Sequence, residues 1–171
     1  MTISMYQASV PVFVNSLQNL SAILHKAVAH AEQKKIDPSV LIGMRLVPDM
    51  LPLSRQIQLA SDNSKGPAAR LAGVERPAFE DTETTFDELQ SRIAKTIAFL
   101  ESIDAAKIDG SEERAVTLQT GDKDLHFRGQ PYLLNFALPN FFFHVTTAYA
   151  ILRHAVVGIG KLDFLGSFPT E

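Results

Sequence analysis

The sequence predicts an all-α domain, a four-helix bundle with one small β-hairpin ahead of its last helix. Three observations carry this reading. Four segments repeat apolar residues at steps of three and four, the signature of a helix with one buried face. One short segment, within residues 114–128, alternates apolar and polar residues as a strand does. The stretch Gln130–Gly160, QPYLLNFALPNFFFHVTTAYAILRHAVVGIG, reads as one long helix with almost no soluble face. Its consecutive Phe141, Phe142 and Phe143 point in three directions around the axis. A helix apolar all round is expected to be buried all round, so the other elements must pack around it.

Composition sets the bounds. A chain of 171 residues can bury a sizeable core, and no repeat, low-complexity tract or linker divides it, so residues 1–171 read as a single domain. It is 46% hydrophobic and 20% charged, as folded globular chains are. The net charge of −3, from 16 basic and 19 acidic residues, makes no electrostatic case for nucleic acid or an anionic membrane. Absence of cysteine excludes disulfides, thiolate nucleophiles and Cys-ligated metals. The N-terminus MTISMYQASV lacks a basic region followed by an apolar run, and no apolar run has membrane-spanning length. A cytoplasmic protein with no membrane partner is expected.

The first helix, residues 4–33, is drawn by Tyr6, Val10, Phe13, Leu17, Leu20, Leu24 and Ala27. Pro11 marks either its true first turn or a kink. Asp37-Pro38-Ser39 is a turn or a fresh helix start. Met50, Leu53, Ile57, Ala60 and Ser64 draw the second helix, residues 48–71, with Pro52 in its first turn and Gly73 as its stop. Gly66-Pro67 is expected to kink or break it. Residues 73–81 form a connection. Thr85-Phe-Asp-Glu88 then matches a capping box, opening a third helix over 85–103 with Phe86, Leu89, Ile93, Ile97, Leu100 and Ile103 at helical spacing. Residues 104–113 are a polar loop. Strands 114–119 and 124–128 follow, joined by a turn at Gly121-Asp122. Pro139 should kink the last helix. The tail's Leu162, Phe164, Leu165 and Phe168 should dock on the bundle or on a partner chain.

The candidate site is a polar line inside the apolar last helix. At about 100° per residue, Asn140, His144 and Thr147 fall in a narrow arc that Leu133 and Ile151 extend. Buried polar groups must find partners or water. Gln56, flanking the second-helix stripe, either faces this patch or lies at the rim. The five histidines are His25, His30, His126, His144 and His154. Chelation from one helix needs ligands three or four apart, and no pair of these satisfies that. His25 and His30 read as surface residues, and His154 as a base favoured by the helix C-terminus. Asp122, Asp124 and His126 share one face of a hairpin strand, read as its solvated side because Leu125 and Phe127 hold the other.

The run LPNFFFHVTTAYAILRH, with RLVPDMLPLSRQIQLASD and the link GVERPAFEDTETTFDELQ, resembles an uncharacterised bacterial family. That family is a domain of unknown function placed in the DinB/YfiT-like superfamily. The likeness spans nearly the whole chain. It implies an up-down-down-up four-helix bundle, often dimeric. Many members of the superfamily carry a divalent metal on three histidines, one in the second helix and an H-x-x-x-H pair in the last. Some metal-bearing members are thiol-dependent transferases or isomerases. Here His144 matches the first histidine of the pair, Ala148 stands in place of the second, and Gln56 is the nearest match in a second helix without histidine.

Two classes of function follow. The favoured one is a metal-free bundle, without cofactor, that binds a small molecule or acts as a homodimeric interaction module. Its site residues are His144, Asn140, Thr147 and Gln56, and no metal ligand set exists beyond His144. The alternative is a DinB-like metalloenzyme of the thiol-transferase or isomerase type, using His144 with zinc or nickel in a degenerate site. A second apolar face on the last helix, Leu138, Phe142, Val145, Leu152 and Val156, is expected to join the tail as the dimer surface. The sequence names no catalytic residue and no reaction.

Overall fold

The structure, a computed structural model, describes residues 2–120 and 123–167. It is mostly helical, with one two-stranded antiparallel hairpin. Helix α1 spans Val10–Lys34, with Phe13, Leu17, Leu20, Leu24, Ala27 and Ala31 all fully buried. It begins later than its apolar period suggests. Pro11 has no N–H to give back to the preceding turn, so regular helix starts around it. Residues 5–9 instead form turns, in which the Ser9 hydroxyl donates to the Met5 carbonyl at 2.7 Å. The short helix α2, Pro38–Gly43, is capped by Asp37, which accepts from the Ser39 N–H at 2.9 Å.

Helix α3 spans Leu53–Ala72, so its start moves five residues from the expected Pro48. Pro52 is the cap, with extended backbone (φ −69°, ψ 168°), and not part of the first turn. Proline also drives the residue before it out of helical conformation, so a helix cannot run through Leu51-Pro52. Gly66-Pro67 does not break α3, whose last two turns are buried against neighbouring elements. That burial outweighs the roughly 3 kcal/mol an interior proline costs. Gly73, at φ 66°, ends the helix in the left-handed conformation that glycine adopts without strain.

Helix α4, Phe86–Glu101, opens with the expected capping box. Thr85 Oγ1 accepts from the Glu88 N–H at 3.2 Å, and Glu88 Oε2 accepts from the Thr85 N–H at 3.0 Å. The loop after it holds a short helix, α5 (Ala105–Ile108), that its polar composition hid; Asp104 caps it and Ile108 is fully buried. Strands β1 (Ala115–Thr120) and β2 (Lys123–Arg128) pair with Val116 opposite Phe127 and Leu118 opposite Leu125. The expected turn at Gly121-Asp122 lies outside the described residues.

The last long segment is three pieces: α6 (Gly129–Tyr132), a π-helical turn (Leu133–Ala137) and α7 (Leu138–His154). Pro139 sits in the first turn of α7, immediately beyond the π turn. A proline that cannot donate is accommodated where the backbone switches to wider i→i+5 bonding, here Leu138 N–H to the Leu133 carbonyl. Helix α7 ends at His154, not Gly160. Val156 takes φ 63°, and the chain turns back so that Val157 and Ile159 enter the core. Nor is α7 buried all round. Phe141 is fully buried, Phe142 half-buried, and Phe143 55% exposed.

Helix α3 packs against α4 and α7, and α1 packs against the same two. Helix α8 (Lys161–Leu165) docks along α1: Asn19 Nδ2 donates to the Phe164 carbonyl at 3.2 Å, and Phe164 meets the Tyr149 ring edge-on at 5.8 Å. This consumes most of the apolar face expected to be surplus. Val145 and Leu152 are buried, and Leu138 and Phe142 half-buried, within the chain. Val156, Leu162 and Leu165 remain exposed, and Phe168 lies outside the described residues. Among the described residues, no helix is long and apolar enough to cross a membrane.

Because both halves of the box at Thr85 are formed, Thr85→Ala should lower unfolding free energy by about 1 kcal/mol, while Thr85→Ser should recover most of it. Urea denaturation followed by circular dichroism measures both.

Candidate functional site

Two elements build the site. The first turn of α3, fixed by the Pro52 cap, places Gln56, and α7 places His144. Gln56 is buried, and its Oε1 lies 2.8 Å from His144 Nδ1. Its Nε2 donates to the Leu51 carbonyl at 3.0 Å. This second bond settles the first. A carbonyl can only accept, so the amide nitrogen faces Leu51 and the amide oxygen faces the imidazole. The proton of neutral His144 is then on Nδ1, which donates to Gln56. Nε2 keeps its lone pair and has no hydrogen-bond partner among the described residues. Burial pushes the His144 pKa below the ordinary histidine value, favouring this neutral form.

The other members of the predicted patch do not join this pair. Asn140 Nδ2 donates to the Phe136 carbonyl at 3.0 Å, and Thr147 Oγ1 to the Phe143 carbonyl at 2.7 Å. Both bonds turn back onto the same helix, the local satisfaction open to short polar side chains. Thr147 still lines a groove of about 460 Å³ along α7, with Leu46, Met50, Phe142 and Phe143 among its walls. Of the remaining histidines, His25, His126 and His154 are exposed and His30 is half-buried. Asp124 and His126 are on the solvated side of the hairpin, and Asp122 lies outside the described residues.

Among the described residues, no group of three His, Asp or Glu side chains could hold a metal ion. Around His144 the donors are one imidazole nitrogen, an amide oxygen already bonded to it, and a hydroxyl committed to its own helix. Ala148 is fully buried and offers nothing. A divalent transition ion takes three or four ligands, usually with anionic or imidazole donors, and this set does not fit one.

A second polar constellation escaped the sequence reading. Arg92 of α4 and Lys65 of α3 are both buried. Arg92 reaches Asp62 at 3.1 Å, Asp81 at 3.0 Å and Glu83 at 2.9 Å, and Lys65 reaches Asp62 at 2.5 Å. The Phe79 ring covers both cations, 4.8 Å from Lys65 Nζ and 5.6 Å from Arg92 Cζ. Burial pushes the Lys65 pKa down against the pull of Asp62. Burial would raise the Asp81 carboxyl, but Arg55 and Arg92 together hold it below the usual carboxylate range. The connection after α3 is therefore a charged strap pinned across α3 and α4. Its signal was present in the period of α4, where Arg92 and Thr96 share the buried stripe with Leu89 and Ile93.

Residues 5–165 match the family model described as Domain of unknown function (DUF1993). The chain belongs to this family. It is also similar to a solved structure described as a DinB family member protein from Shewanella denitrificans, at 39% identity and a TM-score of 0.89. That match covers 97% of this chain and 94% of the other. No curated protein matches the chain. The resemblance drawn from LPNFFFHVTTAYAILRH and its companion motifs is thus correct at the level of the DUF1993 family and its DinB-like fold.

Two measurements check this geometry. The depressed pKa means folded His144 binds a proton less readily than unfolded His144 does. Its contribution to stability is therefore full above the ordinary histidine value, about 6.5, and is lost as pH falls through the depressed folded value. Wild type should lose stability between about pH 7 and about pH 5 more steeply than His144→Gln; equal slopes would contradict a neutral, half-buried imidazole. Beneath the strap, Asp62→Ala strands the buried Lys65, while Arg92 keeps Asp81 and Glu83, and should cost about 3 kcal/mol, whereas Lys65→Met leaves Asp62 paired with Arg92 and should be nearly neutral. Chemical denaturation of the two variants separates them.

Proposed function

We propose that this DUF1993 protein is a metal-free, cytoplasmic, up-down-down-up four-helix bundle that binds a small polar molecule at His144. The observation that carries this is the 2.8 Å hydrogen bond between His144 Nδ1 and Gln56 Oε1. Gln56 is the nearest match in this chain to the second-helix histidine of DinB-like metal sites. Its amide fixes the imidazole as the Nδ1–H tautomer and leaves Nε2 as an acceptor. A ligand that donates an N–H or O–H to Nε2 fits this arrangement.

The homodimeric reading has support of its own. Phe143, Leu51 and Val47 are 55%, 43% and 45% exposed on α7 and on the segment before α3. Pairing of two copies over these side chains would bury apolar surface that a monomer leaves in water. The alternative remains a zinc or nickel enzyme of the thiol-transferase or isomerase type, using His144 in a degenerate histidine site.

Elemental analysis of protein purified without an affinity tag, run on wild type and His144→Ala together, separates these. The expected result is no stoichiometric metal in either, with the helical circular dichroism retained in the variant. His144→Ala should cost about 1–3 kcal/mol, by leaving the Gln56 oxygen without its donor. One metal per chain in wild type, absent from the variant, would overturn the metal-free reading. Light scattering of wild type and Phe143→Glu tests the dimer: a monomer mass for wild type at micromolar concentration would remove it.

A further inference from the structure

About 10 Å further along α3 from Gln56, a separate pocket opens between α3, the strap, β1 and the π turn. Its volume is about 210 Å³, and its walls include Asn63, Arg70, Arg76, Leu118, Tyr132 and Phe136. Two features distinguish it from an ordinary surface dent. The first is charge. Beneath the neighbouring strap the cations Arg55 and Lys65 of α3 and Arg92 of α4 are matched by Asp62, Asp81 and Glu83. Arg70 and Arg76 have no carboxylate within ion-pair distance among the described residues, and the one carboxylate that lines the pocket, Asp62, is already engaged by Lys65 and Arg92. Gly66 helps to bring them together: a side chain there would meet Arg70 Nη1 at 2.9 Å and Arg76 Cδ at 3.7 Å.

The second feature is a buried donor. Tyr132 is 1% exposed, and its hydroxyl oxygen accepts from Arg70 Nη1 at 3.1 Å. Its own proton has no acceptor among the described residues, although buried tyrosine hydroxyls usually find one. Burial raises the Tyr132 pKa, so the hydroxyl keeps its proton. Arg70 is thus oriented by Tyr132, Arg76 reaches in from the strap, and three donors face one small space. Phe136 stacks beside Tyr132, with centroids 6.0 Å apart and planes at 21°, giving that space an apolar flank.

We propose that this pocket is a binding site for a small monocarboxylate bearing an apolar or aromatic group. The carboxylate would accept from Arg70, Arg76 and the Tyr132 hydroxyl, and the apolar group would lie against Leu118 and Phe136. The Asp62 carboxylate, which also lines the pocket, disfavours a dianion more than a monoanion, which selects a carboxylate over a phosphate. Paired N–H donors from guanidinium match the two carboxylate oxygens in the same way. The site shares no residue with the His144 pair and stands or falls separately from it.

The test is titration of the full chain with benzoate and with inorganic phosphate, by calorimetry and by amide chemical shifts in NMR. Benzoate is expected to bind saturably, with shifts centred on residues 63–76 and 132–136, and phosphate more weakly. Arg76 is exposed and unpaired, so Arg76→Ala should fold as wild type does, which circular dichroism verifies. It should weaken benzoate by about tenfold or more, as loss of a charged hydrogen bond does, and Arg76→Lys should recover part of this. Tyr132→Phe, which keeps the ring and removes the donor, should also weaken binding. No saturable benzoate binding at millimolar concentrations, or an affinity indifferent to both substitutions, would overturn the proposal. Phosphate binding more tightly than benzoate would overturn the assignment to carboxylates.

Discussion

Helix α3 must lie buried between α4 and α7 while carrying polar side chains on several faces. Gln56, Gln58, Ser61, Ser64 and Lys65 are each no more than 2% exposed. Each therefore needs an internal partner, since an unpaired buried polar group costs more than most single contacts return. The rest of the molecule is arranged to provide those partners. Helix α7 brings His144 to Gln56, and α4 brings Thr96 to Ser61 at 2.7 Å. The strap brings Glu83 to Gln58 at 2.8 Å. Small residues alternate with these polar ones: Ala60, Gly66, Ala68 and Ala69 are buried on α3, and Gly66 leaves room for the Arg70 and Arg76 side chains.

This arrangement inverts an expectation drawn from apolarity. The stretch around Phe141–Phe143 is the most hydrophobic in the chain, yet Phe143 faces solvent, whereas the more polar α3 is enclosed. Apolar periodicity reports which side of a helix prefers to leave water. It does not report how many neighbours a helix will have. The fold itself was legible where local chemistry acts alone. The Thr85–Glu88 box, the Gly73 stop and the alternation of Val116, Leu118, Leu125 and Phe127 each specify their element within a residue or two. Boundaries failed at prolines. Pro11, Pro52 and Pro139 each moved or divided a helix, because the periodic pattern runs across a residue that cannot donate.

The candidate site was half legible. His144 and Gln56 were singled out from different elements, and they meet. Asn140 and Thr147 were grouped with them on a helical wheel, which gives direction around an axis but not the choice a side chain makes there. Both bond a carbonyl one turn back, so the four-residue patch reduces to a pair. The Arg92 cluster was overlooked because charged residues are read by default as solvated. An arginine in step with Leu89 and Ile93 is placed by the period of α4 inside the core, and the acidic residues of the segment preceding α4 then become its required counter-charges.

The partner of Nδ1 decides what kind of chemistry His144 can do. A carboxylate at that position would hold the imidazolium and raise its pKa. A neutral amide oxygen accepts the same hydrogen bond without that gain for the charged form, while burial works against the charge. Gln56 in turn cannot rotate to offer its nitrogen, because Leu51, fixed ahead of Pro52, already accepts from it. The chain Leu51–Gln56–His144 thus transmits a proline-set backbone geometry to one lone pair at the edge of α7. A rigid neutral acceptor of this kind discriminates by hydrogen-bond donation and not by charge, whereas Arg70, Arg76 and Tyr132 bring donors and positive charge to their pocket. The two ends of α3 are therefore opposite in polarity, one beside an imidazole lone pair and the other beside guanidinium groups, within a single helix that α4 and α7 hold in place.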